Sequence, residues 1–327
     1  MRLVVFNEDC VGVMVHGETL VDLRASYAAY SRKETVEPRI VDDETRLSSL
    51  LGLLSGGKKS LELANSIVNR TLGDPERTSA RLLSIHRVKL RAPLPSLQSR
   101  IICAGGNFAS HHARVRGITV TEAENQLRQM SPWGCCKLPH CVIGPTDNIV
   151  YPDRTRQLDY EVEVAAVLGC KAKDASPEEA EKSIFGYTIL IDYSLRDVQE
   201  PQAPFSVPLA KNFDTAASMG PVLVLKDEVI DPYELRMRLW VNGQLRQEGN
   251  TREMIRRFPE LIAWYSRDLT LYPGDIISGG TCAGTGLEKR NLENDFSWFL
   301  RPGDTVEAEV GNVGVIRNGV AQKGGST

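Results

Sequence analysis

Several features that mark other classes of protein are scarce in this sequence. Aromatic residues make up only 6% of the 327 residues, which argues against a stacking surface for single-stranded nucleic acid. The 39 basic and 42 acidic residues nearly balance, and neither sign forms a long run, so no broad nucleic-acid or anionic-membrane surface is expected. No charge-free apolar stretch approaches the roughly 20 residues of a membrane span. These absences exclude nucleic acid and membranes as expected partners.

Cysteine is present, but in no recognisable framework. The seven cysteines are odd in number and scattered, with no Cys-x-x-Cys, which predicts reduced thiols in a cytoplasmic protein. Cys135, Cys136 and Cys141 lie near His140, but their spacing fits no zinc pattern, so packing thiols are favoured. Cys282, in a loop of small residues, is likewise expected to pack rather than to act as a nucleophile.

Short β-rich runs dominate the chain, and they do not alternate regularly with helices. This excludes a Rossmann sheet or a TIM barrel and predicts an α+β fold that is mostly β. The first thirty residues read as a small β-meander. After residue 96 the candidate strands are Ile101–Cys103, Tyr160–Leu168, Tyr187–Ile191, Val222–Leu225, Arg236–Val241, Asp275–Ser278, Val306–Val310 and Val313–Ile316.

Helices and turns complete the predicted architecture. Apolar spacing predicts helices between residues 47 and 68, interrupted at Gly56-Gly57, and further helices at 177–183 and 253–266. Asn242-Gly243 between two β-rich runs predicts a hairpin. Pro93 and Pro95 hold the chain extended. We therefore expect a small N-terminal α+β domain at 1–95, a second domain at 96–320 and a loose tail at 321–327.

Two glutamates in an apolar strand form the first candidate site. Period two along the strand puts Glu161 and Glu163 on one face, where their carboxylates would repel each other. A hard cation resolves this conflict, because carboxylates suit Mg²⁺, Mn²⁺ or Ca²⁺. Asp192, at the end of another apolar run, is the third candidate ligand. The alternatives are a solvent-facing strand edge for the glutamates and a capping role for the aspartate.

A second candidate site contains histidine and lysine. His111 and His112 follow a glycine-rich junction after the strand at 101–103, a position suited to a general base, and a capping role is the alternative. Lys211, among apolar and turn residues, is a candidate for stabilising an oxyanion, and a structural salt bridge is its alternative.

Taken in order, the motifs between residues 97 and 320 resemble the fumarylacetoacetate hydrolase family. No one motif is decisive, but the ordered set is specific. The matching segments are Asn107-Phe108-x-x-His111, Asp159-Tyr160-Glu161-Val162-Glu163, Gly186-Tyr187-Thr188, Asp192-x-x-x-Arg196-Asp197-x-Gln199, Lys211-x-Phe213-x-Thr215, Val241-Asn242-Gly243, Gln247-x-x-x-Thr251, Thr270-Leu271-x-Pro273-Gly274-Asp275-Ile276-Ile277, Arg301-Pro302-Gly303-Asp304 and Gly314-x-x-x-Asn318. Residues 1–95 look like the variable N-terminal domain that many members carry.

The resemblance implies a catalytic domain of mixed β-roll or sandwich type, usually homodimeric, which binds a divalent cation. Mg²⁺ is the first choice of ion, with Mn²⁺ and Ca²⁺ as alternatives. The implied metal ligands are Glu161, Glu163 and Asp192, with His111 as general base and Lys211 beside it in catalysis. Positions that the resemblance associates with the substrate are Lys137, Tyr193, Arg196, Gln199 and Thr281.

The chain departs from the family pattern around the histidine. Many members have a glutamate three residues after it, where this chain has Arg114. The late glycine loop has Thr281-Cys282 instead of the frequent Thr-Pro, and residues 286–300 form a longer, charged insertion. Because a general-base histidine needs a carboxylate partner, we expect this insertion to supply one. Glu293 is the favoured residue, ahead of Glu288 and Asp295, and a solvated loop is the alternative.

The implied reaction is metal-dependent hydrolysis of a carbon–carbon bond in a small carboxylate, of the acylpyruvate or 2,4-dioxo acid type. Within the family, the alternatives are a 2-oxo acid decarboxylase and a sugar-acid hydrolase or dehydratase. From another class, the alternative is a non-catalytic binder of small carboxylates on the same scaffold. The missing glutamate favours that last option, and the three carboxylates together with His111 oppose it.

Overall fold

The computed structural model describes residues 1–31, 41–74, 82–199 and 206–324. In this part of the chain nineteen strands are numbered in sequence order: β1 (Arg2–Phe6), β2 (Cys10–Val15), β3 (Thr19–Asp22), β4 (Leu82–Ser84), β5 (Leu90–Arg91), β6 (Ile101–Gly105), β7 (Trp133–Lys137), β8 (Val142–Ile143), β9 (Ile149–Tyr151), β10 (Leu158–Asp159), β11 (Val162–Leu168), β12 (Ile184–Asp192), β13 (Ser194–Leu195), β14 (Ala217–Leu225), β15 (Arg236–Val241), β16 (Gln244–Asn250), β17 (Ile276–Thr281), β18 (Thr305–Val310) and β19 (Gly314–Gln322).

Ten α-helices lie within the same described ranges: α1 (Leu23–Ser31), α2 (Val41–Leu47), α3 (Leu50–Ser55), α4 (Gly57–Gly73), α5 (Ala109–Arg116), α6 (Val120–Gln129), α7 (Pro177–Ser183), α8 (Ser206–Lys211), α9 (Phe258–Tyr265) and α10 (Gly286–Glu293). Short 3-10 helices are found at Ile85–Arg87, Pro139–Cys141, Lys226–Glu228 and Thr251–Glu253. No helix of the described segments is both long and apolar enough to cross a membrane.

The strands form one large sheet and two smaller ones. The main sheet has twelve strands, with the order β4-β3-β2-β1-β14-β12-β11-β17-β6-β7, while β5 pairs with β1 and β8 with β14. A five-stranded sheet has the order β16-β15-β18-β19-β9, and β10 pairs with β13. Most neighbours are antiparallel, the exceptions being β17–β6, β14–β8 and β19–β9. The predicted α+β fold that is mostly β is confirmed.

The central strand β11 is buried on both faces, so its side chains divide between two cores. Val162 and Val164 belong to the larger apolar cluster, and Ala165 and Val167 to the cluster that also contains the N-terminal helices. Since side chains alternate along a strand, Glu163 points to the same face as Ala165 and Val167. The N-terminal helices therefore cover the sheet face on which this glutamate lies.

Local sequence signals explain several element boundaries. Ser176 caps α7 with a capping box, and α7 ends at Ser183 as predicted. Asn242 and Gly243 both have positive φ, 50° and 75°, which is the backbone that a tight hairpin between β15 and β16 requires. The helical region at 47–68 is interrupted at Gly56, since α3 ends at Ser55 and α4 begins at Gly57.

Other boundaries differ from the predictions. The helix predicted at 253–266 begins only at Phe258, since residues 251–253 form a 3-10 turn and Pro259 favours the first turn of a helix. Helices α5 and α6 fall in a region predicted as mostly strand. Strand β19 extends to Gln322, two residues into the segment expected as a tail. The first strands join the main sheet through β1 and β14, and the domain boundary near residue 95 stays a prediction.

Candidate active site

A cavity of about 350 Å³ opens at one end of the main sheet. Its wall comes from strands β6, β7, β11, β12 and β17, from helices α5, α8 and α10, and from connecting segments that include Gly106, Glu161 and Arg196. Its lining includes His111, Glu161, Glu163, Asp192 and Lys211. The cavity therefore brings these five side chains together, although 100 positions separate His111 from Lys211 in the sequence.

Three carboxylates form the floor of this cavity. Strands β11 and β12 are antiparallel, so the start of one lies beside the end of the other, and the Asp192 N–H donates to the Glu161 carbonyl at 2.8 Å. One carboxylate oxygen from each of Glu161, Glu163 and Asp192 lies within 4.8 Å of the others. All three side chains are buried. The solvent-facing alternative considered for the two glutamates is therefore wrong.

Charge is poorly balanced at Glu163. Burial, and then the neighbouring Asp192 and Glu161, raise the pKa of its carboxyl well above the usual value. The Ser278 hydroxyl donates a hydrogen bond to it, but none of the ion pairs found among the described residues includes Glu163. A divalent cation between the three carboxylates would remove this repulsion, and oxygen donors are the ligands that hard cations prefer. The residues present therefore fit such an ion.

Lys211 bridges two of these carboxylates. Its Nζ lies 2.6 Å from Glu161 and 2.9 Å from Asp192, and it donates to the Ser194 hydroxyl at 2.7 Å. Burial alone would lower the pKa of Lys211, but Asp192 and Glu161 raise it above its usual value. The lysine is therefore charged, and it is positioned beside any anion bound over the carboxylates.

Arg196 is buried in a second set of ion pairs. Its Nε contacts Asp159 at 2.8 Å, its Nη2 contacts Glu161 at 2.5 Å, and its Nη1 donates to Gln199 at 3.0 Å. Burial of Glu161 opposes ionisation, but Arg196 and then Lys211 hold the pKa of its carboxyl well below the usual range. Glu161 is therefore ionised, and this arginine fixes its orientation.

His111 is paired with a carboxylate from the late insertion. Its Nδ1 lies 2.5 Å from Glu288 Oε1, while its Nε2 faces Glu161 at 4.0 Å. The other oxygen of Glu288 accepts from the Gly284 N–H at 2.8 Å. An ionised carboxylate only accepts, so in the neutral imidazole this pairing puts the proton on Nδ1 and leaves a lone pair on Nε2. This is the arrangement of a general base directed toward the carboxylate cluster.

The favoured partner Glu293 is corrected to Glu288. The insertion begins as a helix, α10, which Thr285 caps. Five residues along a helix turn by about 500°, so the two glutamates lie about 140° apart around its axis. Glu288 faces inward and is buried, whereas Glu293 is exposed and paired with Lys289. The insertion therefore supplies the carboxylate partner of His111, as expected, but from the first turn of α10 and not from its end.

The structure also separates His111 from His112. The His112 side chain hydrogen-bonds to Gln126, and burial lowers its pKa. Although it lines the cavity, His112 has no carboxylate partner among the described residues. His111 is the histidine with the geometry of a base.

The remaining predicted substrate residues divide into two groups. Gln199 and Thr281 line the cavity, and the Thr281 hydroxyl donates to the Val162 carbonyl at 2.9 Å. Lys137 is buried behind Asp192, where its Nζ lies 2.6 Å from that carboxylate and donates to three backbone carbonyls. The Tyr193 ring is also fully buried. Adjacent side chains in an extended chain point to opposite faces, so this ring points away from Asp192. Its hydroxyl donates to Asn318 at 3.1 Å. Neither Lys137 nor Tyr193 is among the residues that line the cavity, and their contact with substrate stays a prediction.

Two residues at the site have no role assigned from the sequence. Gln247 is buried and accepts from the Val162 N–H while it donates to Thr281 and to the Cys282 carbonyl, so it holds β11 against β17 at the site. Arg116 lines the cavity, is exposed, and has no hydrogen-bond or ion-pair partner within the described segments. It lies one helical turn after His112, a spacing that would have indicated it if α5 had been predicted. Cys282, by contrast, is fully buried, and burial raises the pKa of its thiol.

Comparison with known proteins places this site in a family. Residues 100–321 match the profile of the fumarylacetoacetate (FAA) hydrolase C-terminal domain. The oxaloacetate tautomerase YisK of Bacillus subtilis (strain 168) is 32% identical over 314 residues, which cover 96% of each chain. The mitochondrial oxaloacetate tautomerase FAHD2B of Bos taurus is 34% identical over 278 residues, or 85% of this chain and 81% of the relative.

A solved structure shares the fold over nearly the whole length. Maleylpyruvate hydrolase from Sphingobium sp. SYK-6, in complex with manganese(II) ion and pyruvate, superposes with a TM-score of 0.72 at 26% identity and covers 98% of this chain and 99% of that one. Together with the profile match over more than half of the chain, these likenesses show that the protein belongs to the fumarylacetoacetate hydrolase family.

Proposed function

We propose that this protein is a metal-dependent tautomerase that interconverts the enol and keto forms of a small 2-oxo dicarboxylate of the oxaloacetate type. The observation that carries the proposal is the His111–Glu288 pair, whose free ring nitrogen faces the carboxylate cluster. The two relatives named oxaloacetate tautomerases support the substrate class. Tautomerisation moves one proton between carbon and oxygen, which a single oriented base can perform.

Glu161, Glu163 and Asp192 would hold the divalent cation, and Mg²⁺ is our first choice because all three ligands are hard oxygen donors. Mn²⁺ and Ca²⁺ suit the same ligands, and the related maleylpyruvate hydrolase structure contains manganese(II). When bound, such a cation supplies Lewis-acid polarisation of a carbonyl oxygen, which acidifies the adjacent carbon–hydrogen bonds.

His111 performs the proton transfer in this proposal. Its Nε2 accepts a proton from carbon 3 of the keto form and returns a proton to the enol oxygen, or the reverse. Glu288 keeps the ring in the tautomer with a free Nε2 and stabilises the imidazolium that forms. The pair thus performs both halves of the exchange without a second base.

Two cations assist at opposite ends of the substrate. Lys211 places a buried positive charge beside the oxygen on which negative charge develops. Arg116, at the wall of the cavity and without a partner in the described residues, pairs with the distal carboxylate of a dicarboxylate substrate. Direct binding of the distal carboxylate distinguishes this substrate class from simple 2-oxo monocarboxylates.

The proposal is tested with enol oxaloacetate diluted into buffer with Mg²⁺. We expect faster loss of the ultraviolet absorbance of the enol, together with faster appearance of the keto form measured by malate dehydrogenase. Lactate dehydrogenase should detect no matching release of pyruvate. The His111→Asn variant should lose the acceleration, whereas His112→Asn should keep most of it. Enol decay at the uncatalysed rate would overturn the proposal.

Carbon–carbon bond hydrolysis is the second candidate, because the solved maleylpyruvate hydrolase shares the fold over almost the whole chain. Decarboxylation of a 2-oxo acid is a further outcome of the same assays. Stoichiometric pyruvate from oxaloacetate would favour the decarboxylase. Metal-dependent cleavage of a panel of acylpyruvates, at rates above the tautomerase rate, would favour the hydrolase.

The homodimer and the cytoplasmic location implied by the sequence remain proposals. Light scattering after size-exclusion chromatography measures the first, with twice the 36.2 kDa chain mass as the expected result. Fractionation of the source cells measures the second.

A further inference from the structure

Two thiols lie beside the carboxylates at the same cavity. Strands β6 and β7 are antiparallel, and their register sets Cys103 directly opposite Cys135. Both residues line the cavity, and both are free thiols. Their sulfur atoms and one carboxylate oxygen of Asp192 all lie within 4.8 Å of one another. Three potential ligand atoms from three strands therefore converge on one point.

We propose that Cys103, Cys135 and Asp192 form a second cation site, which takes a thiophilic divalent cation of the Zn²⁺ class. Two sulfurs and one carboxylate oxygen are a soft donor set, and soft thiolates select Zn²⁺ over Mg²⁺ or Ca²⁺. The three carboxylates of the first site are hard oxygen donors, which select Mg²⁺ or Ca²⁺ over Zn²⁺. The cavity thus contains two donor sets of different softness that share Asp192.

The required rearrangement is small. Zinc–sulfur bonds of about 2.3 Å in a tetrahedron put two sulfurs about 3.8 Å apart, so the two sulfur atoms, now within 4.8 Å, need to approach by about 1 Å at most. Binding releases both thiol protons to solvent as two cation–sulfur bonds form, and no oxidant or reductant is needed. The fourth tetrahedral position would face the cavity, as it does in zinc sites that keep an open position.

Two lysines offset part of the negative charge of this donor set. Two thiolates and Asp192 carry three negative charges, of which the cation neutralises two. Lys137 and Lys211 already contact Asp192 at 2.6 Å and 2.9 Å, and they offset the remainder. Because one carboxylate serves both sets, a thiophilic cation would compete with the hard cation for Asp192. This competition makes the second site inhibitory toward any reaction that depends on the first.

Cobalt(II) spectroscopy of the reduced, full-length protein tests the proposal without an activity measurement. Thiolate-bound Co²⁺ gives a near-ultraviolet charge-transfer band that carboxylate-bound Co²⁺ lacks. We expect this band in the wild type during titration without Mg²⁺, and its loss in both Cys103→Ser and Cys135→Ser. Cys136→Ser is the matched control. Cys136 is exposed and follows Cys135 on the opposite face of β7. The Co²⁺ charge-transfer band of this variant should therefore be unchanged.

Zinc affinity is the second measurement. Competition with a chromogenic chelator should show Zn²⁺ binding at least about tenfold weaker in Cys103→Ser and Cys135→Ser than in Cys136→Ser, since each loses one ligand. An unchanged Mg²⁺-induced rise in melting temperature establishes that each variant is folded, and alanine variants replace any serine variant that fails this criterion. A band that persists in both site variants, or a reduced wild type that binds Co²⁺ without the band, overturns the proposal.

The test is independent of the proposed tautomerase activity. If the band depends on both thiols but no enol–keto acceleration is found, the second cation site stands and the proposed function fails. The reverse result removes the site and leaves the proposed function intact.

Discussion

Residues 1–95 and residues 96–324 share one sheet, but they bury different chemistry. In the described residues of the first part, the buried polar side chains are Ser26, Ser60 and Thr71, and none is charged. The second part buries nine charged side chains: Lys137, Asp159, Glu161, Glu163, Asp192, Arg196, Lys211, Asp275 and Glu288. All but Asp275 lie in or directly behind the cavity wall.

This difference shows that the free-energy cost of burying charged side chains is confined to the second part of the chain, which contains the site. Burying a charge costs several kcal/mol unless partners compensate it, whereas buried leucines stabilise the fold directly. The first part covers the sheet face with helices α3 and α4, whose inward residues are apolar. We therefore expect substitutions in the second part to affect activity and metal binding, and substitutions in the first part to affect stability alone.

The largest effect is expected at Asp192, which both candidate cation sites use. Asp192→Asn should lower the tautomerase rate by about 10³-fold, since metal charge stabilisation is worth several kcal/mol. It should also abolish the Mg²⁺-induced rise in melting temperature, because binding to the native state is lost. Asp153→Asn is the control, since Asp153 is exposed and pairs with Lys323. A normal Mg²⁺ response in Asp192→Asn would show that the buried carboxylates are structural.

The next effect concerns the two glutamates of α10. Glu288→Gln should lower the rate by about 10²-fold or more, because an amide cannot stabilise the imidazolium of His111. Glu293→Gln, on the opposite face of the same helix, should change the rate by less than about twofold, as expected for an exposed pair. Equal rates in the two variants would contradict the assignment of Glu288 as the partner of the base.

Two pairs of glutamates show which contacts can and cannot be predicted from the sequence. The alternation of Glu161 and Glu163 was readable because a strand has a fixed period of two, and the structure has both carboxylates on one buried face. The choice between Glu288 and Glu293 depends on where α10 begins, which the insertion's charged composition concealed. Cys103 and Cys135 meet only through strand register, which no local spacing encodes.

The apolar elements were predicted more fully than the polar contacts. The N-terminal meander, the Asn242-Gly243 hairpin and the α7 boundaries follow from local turn and capping signals. Helix α5 was missed because its residues, Ala109–Arg116, have few apolar side chains to show a helical period. Consequently Arg116 was missed as well.

Arg116 provides the third prediction, with a smaller effect. Arg116→Gln should raise KM for a 2-oxo dicarboxylate by about tenfold, which corresponds to about 1.4 kcal/mol, and should leave kcat nearly unchanged. A charged hydrogen bond to the distal carboxylate accounts for this magnitude. Arg128→Gln is the control, because Arg128 is exposed and pairs with Glu124. If KM is unchanged while kcat falls, Arg116 influences the reacting groups and does not bind the distal carboxylate.

The smallest effect on activity is expected in the first part of the chain. Leu53 is fully buried on α3, and Leu53→Ala should lower the free energy of unfolding by about 2–5 kcal/mol through lost burial and a cavity. Leu97→Ala, at an exposed position, is the matched control and should change stability little. Chemical denaturation measures both variants.

For the same variant we expect kcat/KM per folded molecule to stay within about twofold of the wild type. The reason is that Leu53 belongs to the apolar cluster on the helix-covered face of the sheet and does not line the cavity. A loss of kcat/KM that parallels the loss of stability would show that the N-terminal helices hold the carboxylate face in place, and the two parts would then act as one functional unit.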